Sequence, residues 1–277
     1  MSSRADGILR PSRRPPLSRM RTVVFQSYRT HNVPNWIRRC MHTVETWAAS
    51  QGFVYRFIDD RLFDYVPAWF QQKCHPHICP ITDLARLKLA RELLSEGFER
   101  TVWVDADMLI FAPERLSVEV GSQFAYCHEV WTYADDAGHA AVSHRVNNSI
   151  SVFVKGNAYL DFFIDACEQT ARSLPKLGKL DASTRFLTEL HAILPFPLLY
   201  NVGILSPALM TDIANGSQHF LPTYAQQLQA PIATANLCAS LLDQSFKGVP
   251  MDSRCYDTVI DRCLESHGMV VNRFFRG

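Results

Sequence analysis

The chain has 277 residues, of which 47% are hydrophobic and 11% aromatic, enough to bury a core as one large domain or two small ones. This composition excludes a linker or a disordered tail as the main part of the protein. The formal net charge is +1, but residues 1–21 carry six arginines and one acid, which leaves about four net negative charges on the remainder. A mildly acidic body argues against an enzyme that acts on nucleic acid, so no nucleic-acid partner is expected.

The first 21 residues predict a disordered basic segment ahead of one folded domain over 22–277. They combine the arginines with three prolines and lack the apolar run of a secretory signal. Met20 is an alternative start of the chain. With no stretch of 18 apolar residues and no sign that the eight cysteines need to pair, we expect a cytoplasmic protein. The most apolar stretch, 191–210, predicts a buried strand and turn and leaves peripheral membrane contact open.

The predicted elements alternate between strand and helix as far as residue 111: strand 22–28, helix 35–50, strand 53–59, helix 82–97 and strand 100–111. Thr82 and Asp83 are the predicted N-cap pair of the second helix. Such alternation with short connections predicts an α/β fold, a mostly parallel sheet flanked by helices. Beyond residue 112 the pattern is less regular, with a strand predicted over 149–156 and a helix over 158–174.

Polar side chains follow each of the three predicted strands. Ligands of parallel sheets bind at the carboxyl ends of the strands, so Gln26 to Arg29, Asp59–Asp60 and the pair Asp105 and Asp107 are expected to meet in one crevice. Tyr28 could stack on a uracil ring there, and Asp59 could contact the base or ribose.

Asp105 and Asp107, separated only by Ala106, form the most informative motif. Residues two apart on a strand point to the same face, so the two carboxylates are expected to converge. Two such charges repel unless a cation lies between them, and Mn²⁺ and Mg²⁺ prefer oxygen ligands. The motif therefore predicts a divalent metal that bridges the carboxylates to a diphosphate. Upstream, Asp83 and Arg86 lie at i and i+3, on one face of their helix, and could bond phosphate and sugar hydroxyls.

Four segments resemble metal-dependent nucleotide-sugar glycosyltransferases of the GT-A fold, in particular the glycogenin-like and bacterial galactosyl- and glucosyltransferase families with a DXD motif. They are ITDLARLKLARELL with its Asp and Arg, VWVDADMLIF with the DXD motif, NNSISVFVKG with its Asn, and the late Ser266–His267–Gly268. The resemblance implies a nucleotide-sugar-binding half over 22–125 and an acceptor-side half over 126–277. It also implies transfer of a hexose, most simply from a UDP-sugar, with retention of anomeric configuration, to a saccharide, lipid or protein acceptor.

The resemblance and the residues together give a set of expected site residues. The catalytic set is Asp105, Asp107 and Arg86. The metal ligands, for Mn²⁺ or Mg²⁺, are Asp105, Asp107 and His267. The donor-binding set is Gln26, Tyr28, Asp59, Asp83, Arg86, Asp105, Ala106 and Asn148.

Two alternatives stay open at this point. A haloacid-dehalogenase-type phosphatase also uses two aspartates one residue apart, although its nucleophile usually follows the first strand of the domain. A non-catalytic protein of the same fold that binds nucleotide sugar is the other, because the Lys-Pro-Trp run that often follows the late histidine is absent here.

Overall fold

The computed structural model describes residues 20–246 and 249–276. The predicted N-terminal segment lies outside these residues except for Met20 and Arg21. The strands are β1 (Thr22–Ser27), β2 (Val54–Ile58), β3 (Arg100–Val104), β4 (Met108–Ile110), β5 (Phe124–Ala134), β6 (Ala140–Val154), β7 (Leu198–Leu199), β8 (Val202–Ile204), β9 (Thr234–Asn236), β10 (Ser245–Phe246) and β11 (Val249–Pro250). The helices are α1 (Asn35–Ser50), α2 (Ala68–Cys74), α3 (Cys79–Ser95), α4 (Tyr159–Ser173), α5 (Phe186–Ile193), α6 (Pro207–Asn215), α7 (Leu221–Gln226), α8 (Ser253–Glu265) and α9 (Met269–Asn272).

Six strands form the main sheet, in the order β2-β1-β3-β6-β5-β7. Strand β1 pairs in parallel with β2 and β3, and β5 pairs in parallel with β7, whereas β6 is antiparallel to both of its neighbours. Five strands therefore run in one direction and β6 runs against them. The predicted α/β class with a mostly parallel sheet is confirmed.

The core lies on both faces of this sheet because side chains alternate along each strand. On one face, Val24, Val102 and Val104 pack in the same cluster as the buried side of α1. On the other, Val23, Phe25 and Trp103 pack with the apolar residues of α3 and α4. Helices thus cover both faces, and the carboxyl ends of β1, β2 and β3 remain at one edge.

Two predicted elements need correction. Helix α3 begins at Cys79, so Thr82 and Asp83 lie inside the helix and do not form its N-cap. The predicted strand over 149–156 is only the end of β6, which begins at Ala140 and pairs with β5 as a long antiparallel hairpin. The polar residues of 127–148 obscured this hairpin, since they do not alternate cleanly with apolar ones. The predicted boundary at residue 125 falls within β5.

A second sheet, in the order β4-β9-β8, lies against the carboxyl end of β3. Strand β9 is antiparallel to β4, with Met108 opposite Asn236, and parallel to β8. In the apolar stretch 191–210, Leu199, Val202 and Ile204 are buried as predicted, whereas Ile193 and Leu194 are exposed. All eight cysteines are free thiols. Across the described residues, no helix has both the length and the apolar character that crossing a membrane requires; the cytoplasmic location stays a prediction.

Candidate active site

The two aspartates lie in a turn between β3 and β4, not on one continuous strand. The amide of Asp105 still donates to the carbonyl of Ser149 on β6 (2.8 Å), and the amide of Met108 closes the turn on the carbonyl of Asp105 (3.1 Å). The strand-alternation argument was therefore wrong. The carboxylates nevertheless converge, because the side-chain nitrogen of Asn236 lies 3.4 Å from Oδ2 of Asp105 and 3.0 Å from Oδ1 of Asp107.

Asp105 is fixed by groups from three neighbouring elements. Its Oδ1 accepts hydrogen bonds from the indole of Trp103 (2.6 Å) and from Nη1 of Arg86 (3.2 Å). Its backbone carbonyl accepts from the side-chain amide of Gln26 on β1 (3.0 Å). This carboxylate is held before any ligand arrives, with 26% of the side chain exposed.

Asp107 is held from the second sheet. The backbone amide of Ala239 donates to its Oδ2 (2.6 Å), and the amide of Leu237 donates to its carbonyl (3.1 Å). Because β9 pairs with β4, the residues directly after β9 are brought against the turn. The position of Asp107 therefore depends on a segment about 130 residues away in sequence.

Burial controls the protonation of the pair. Desolvation is the largest cause and raises the pKa of Asp105 to about 7; Arg86 opposes this rise, and the charge of Asp107 adds to it. Burial also raises the pKa of Asp107, against hydrogen bonds that include the one from Ala239. Both carboxylates are more basic than free aspartate, so protons compete with a cation for them near neutral pH.

Arg86 is occupied by protein groups. Its guanidinium bonds to Asp83 Oδ1 (2.6 Å), Asp105 Oδ1 and the carbonyl of Asn148 (2.7 Å), and it lies 5.0 Å from the ring centroid of Trp103. The Asn148 side chain also donates to Asp83 (2.9 Å). Asp83 and Arg86 are 3% and 6% exposed, so their main task here is to fix Asp105.

A cavity of about 780 Å³ opens over the turn. Such a volume is within the usual range for small-molecule sites. It brings together most of the predicted residues, which line it: Tyr28, Asp83, Arg86, Asp105, Ala106, Asp107 and Asn148. Tyr28 and Asp60 lie at the β1–β2 end, and burial raises the pKa of the Tyr28 phenol.

Two predicted donor-binding residues do not line this cavity. Gln26 is a fully buried residue of β1. Its side-chain nitrogen donates to the Asp105 carbonyl, and its side-chain oxygen accepts from the hydroxyl of Tyr55 (3.0 Å). Asp59 caps a short 3₁₀ helix by accepting from the amide of Arg61 (3.0 Å) and its guanidinium (2.8 Å). Its neighbour Asp60 lines the cavity instead.

His267 is not brought to the aspartate pair. It lies exposed in the turn after α8, with a positive φ of 47°. At the other end of that helix, the Tyr256 hydroxyl donates to the carbonyl of Cys238 (3.1 Å), close to the groups that hold Asp107. Nine helical residues, 257–265, lie between Tyr256 and the turn that contains His267, and His267 does not line the cavity that contains Asp105 and Asp107. His267 is therefore misplaced as a third ligand.

Several cavity residues escaped the sequence analysis: Glu129, Trp131, Lys179, Asn236 and Ala239. Asn236 and Ala239 follow no predicted strand end, and only the β4–β9 pairing carries them to the turn. Glu129 and Trp131 lie two apart on β5, an alternation that the neighbouring histidines disguise. His128 and His144 point to the opposite face of the hairpin, where their rings stack with centroids 5.3 Å apart.

The carboxylates at the turn are suitable ligands for a hard divalent cation that also binds substrate. Asp83 and Asp105 share the one guanidinium of Arg86, and Asp107 converges on Asp105 through Asn236, which leaves negative charge for a cation to balance. Among the described residues, no three His, Cys, Asp or Glu side chains are grouped closely enough to hold a metal by themselves. Mg²⁺ is commonly bound by one or two carboxylates and completed by substrate phosphates and water. The pair suits that mode.

Comparisons with known proteins give structural overlaps only. No family model matches the sequence, and no curated protein is significantly similar to it. A glycosyltransferase involved in the glycosylation of the major capsid of PBCV-1 overlaps 86% of this chain and 98% of its own, at 9% identity and a TM-score of 0.47. The glycosyltransferase GlyE of Streptococcus pneumoniae TIGR4 overlaps 92% and 62%, at 10% identity and a TM-score of 0.38. The PaToxG glycosyltransferase overlaps 90% and 87%, at 14% identity and a TM-score of 0.33. Overlaps this loose leave the function to be argued from the cavity.

Proposed function

We propose that the protein is a metal-dependent glycosyltransferase that takes a sugar from a nucleoside-diphosphate sugar. The observation that carries this proposal is the turn at Asp105–Ala106–Asp107, which holds two desolvated carboxylates side by side on the floor of a substrate-sized cavity. Mn²⁺ or Mg²⁺, when bound, supplies Lewis-acid stabilisation of the leaving diphosphate. The chain's own task is to hold the pair in place and keep water away from it.

Sheet order supports an orientation for the donor. Strands β1 and β2 lie on one side of β3, and their ends contribute Tyr28 and Asp60 to the cavity. We place the nucleoside there, with the Tyr28 ring against the base, which is uracil in this proposal. The diphosphate then lies at the turn, and the sugar extends toward β6 and β5.

Lys179 is better placed than Arg86 to meet the phosphates. It lines the cavity together with Cys79 and Cys238; burial raises the pKa of both thiols, and the charge of Lys179 opposes that rise in each. No ion pair to Lys179 is formed within the described residues, whereas Arg86 is already paired with Asp83 and Asp105. We therefore assign Arg86 to positioning and Lys179 to charge neutralisation of the diphosphate.

The proposal includes two finer features that come from the family resemblance. The transferred sugar is a hexose, and its anomeric configuration is retained. Product analysis tests both, since proton NMR of the product identifies the transferred sugar and its anomer.

The phosphatase alternative gains no support from the turn. The nucleophile of such a phosphatase usually follows the first strand of the domain, whereas Asp105 follows β3. The fluoride complex of beryllium, which mimics an aspartyl phosphate, should therefore leave the melting temperature unchanged.

The test is hydrolysis of a panel of nucleotide sugars with Mn²⁺, Mg²⁺ or EDTA. We expect turnover of at least one UDP-sugar with Mn²⁺, lost with EDTA, and a fall of about 100-fold for Asp107→Asn. Asp161→Asn is the matched control, because Asp161 is 78% exposed on α4 and its one ion pair among the described residues is with Arg91 at the surface. Binding of UDP and Mn²⁺ without any turnover would favour the non-catalytic alternative, and absence of both would end the proposal.

A further inference from the structure

Glu129 is a buried carboxylate on the cavity wall that the aspartate site does not use. It is 3% exposed, lies on β5 and lines the same cavity as the aspartate turn. Burial raises its pKa, while the Asn147 hydrogen bond and the charge of Arg145 lower it. A desolvated carboxylate is unfavourable unless its oxygens are satisfied.

The two oxygens of Glu129 are satisfied unequally. Oε2 accepts from the side-chain amide of Asn147 (2.8 Å), and Asn147 is itself fixed because its Oδ1 accepts from the amide of Ser149 (2.6 Å). Oε1 lies 3.8 Å from Nη1 of Arg145, beyond hydrogen-bond distance. Within the described residues Oε1 accepts no hydrogen bond, so a rigidly held acceptor is left available to a ligand.

An aromatic ring lies next to this hydrogen-bond acceptor. Trp131 follows Glu129 by two residues on β5, so both side chains are on the cavity face of the hairpin. Trp131 is half-buried, and the Arg145 guanidinium lies 6.0 Å from its ring centroid. A flat apolar surface beside a fixed carboxylate and a guanidinium matches a ligand with one apolar face and a hydroxylated edge, which describes a sugar ring.

The position of this group in the sheet separates it from the nucleoside end. Strand β5 is two strands from β3, about 10 Å away, on the side opposite to β1 and β2. Cys238, the neighbour of Ala239, also lines the cavity; burial raises its pKa, and the charges of Asp107 and Glu129 add to the rise. The gap leaves room for a transferred sugar between the aspartate turn and Glu129.

We propose that Glu129, Trp131 and Arg145 form the acceptor subsite and that the acceptor is a saccharide. A hydroxyl of the acceptor donates to Oε1 of Glu129, its ring packs on Trp131, and Arg145 bonds a further oxygen. This inference rests on the proposed glycosyl transfer, because it names the second substrate of the same cavity. A lipid tail is disfavoured, since the polar side chains of Glu129, Arg145 and Asn147 accompany Trp131, the one aromatic side chain among the described residues of the hairpin that lines the cavity.

The test separates transfer from donor hydrolysis. A panel of methyl glycosides and disaccharides is offered with the UDP-sugar that the protein hydrolyses, and the ratio of transfer to hydrolysis is measured for wild type, Glu129→Gln and Trp131→Ala. We expect transfer to at least one saccharide, with the ratio lowered about tenfold or more in each variant and the acceptor KM raised. Tyr133→Ala is the matched control, because Tyr133 is the next residue on the same face but is 41% exposed and does not line the cavity.

Three results would overturn the inference. The first is an unchanged ratio in both variants; the second is an equal loss of hydrolysis and transfer, which would assign Glu129 to the donor. The third is a wild-type protein that hydrolyses donor but transfers to no saccharide, which would exclude this acceptor class. If wild type hydrolyses no nucleotide sugar, the proposed function has failed first. The subsite is then still tested by measuring saccharide binding through tryptophan fluorescence in the presence of UDP and Mn²⁺. Fluorescence that changes in wild type but not in Trp131→Ala supports it, and no change in either contradicts it.

Discussion

The two sides of the cavity satisfy their buried charges in different ways. At the aspartate turn, Asp105 accepts from Trp103 and Arg86, and Arg86 is locked in turn by Asp83. On the hairpin, Glu129 has one hydrogen bond, and its second oxygen faces Arg145 at 3.8 Å. The carboxylates of the first side are therefore fixed in position before substrate arrives, as a preorganised electrostatic site requires, whereas the second side keeps a hydrogen-bond acceptor for its ligand.

The largest expected difference between the two sides of the cavity is in how much the loss of their arginine lowers the free energy of unfolding. Arg86→Met leaves Asp83 and Asp105 buried without their cation, and we expect it to lower the free energy of unfolding by about 3–5 kcal/mol. Arg145→Met removes a guanidinium that is 38% exposed and too far from Glu129 for a hydrogen bond, so we expect a loss of at most about 1 kcal/mol. Urea denaturation of both variants measures the contrast. Equal losses would mean that the hairpin side is as tightly networked as the turn.

This contrast also explains which site residues could be found in the sequence. Tyr28, Asp105 and Asp107 lie directly after or near the ends of strands whose apolar pattern is clear, and Asn148 lies just before the apolar part of β6. Glu129 was hidden on a strand whose outer face carries histidines, and the role of Asn236 depends on pairing between β4 and β9. Long-range pairing of short strands leaves no periodic signal in either partner.

Gln26 and Asp59 show a second limit. Both lie near strand ends as predicted, but the end of a strand does not fix which way a side chain points. Gln26 turns inward to the Asp105 carbonyl, and Asp59 turns back to cap its own chain. Sequence thus located the crevice and the fold class better than it resolved individual contacts.

An intermediate effect is expected from pH on metal binding at the turn. The pKa of Asp105 is raised to about 7 and that of Asp107 is also raised, so protons displace a cation from the pair below neutrality. The apparent Mn²⁺ affinity of the protein alone should rise from pH 5.5 to about 7.5 and then level off, as measured by electron paramagnetic resonance of free Mn²⁺. Asp161→Asn should keep this profile. A flat profile over that range would contradict the raised pKa values.

The same shifts affect folding in the absence of metal. A carboxyl whose folded pKa lies above its unfolded value binds more protons when folded, so stability is lost as pH rises from about 4 to about 7. Because the pKa of Glu129 is raised as well, both sides of the cavity contribute to this slope. Urea unfolding measured across that window gives the free energy of unfolding as a function of pH. This free energy should fall less steeply with pH for Glu129→Gln and for Asp107→Asn than for wild type. An unaltered pH dependence in both variants would contradict the assignment.

The smallest effect is expected at His267, which separates a ligand role from a structural one. It is exposed and does not line the cavity of the aspartate turn, and its positive φ of 47° is a conformation that asparagine adopts readily. His267→Asn should therefore change the Mn²⁺ affinity less than twofold and the unfolding free energy by no more than about 0.5 kcal/mol. A tenfold loss of Mn²⁺ affinity in this folded variant would require the chain after α8 to close onto the aspartate turn. That outcome would mean that the C-terminal segment contributes a ligand to the metal site. The aspartate turn would then not form its side of the cavity alone.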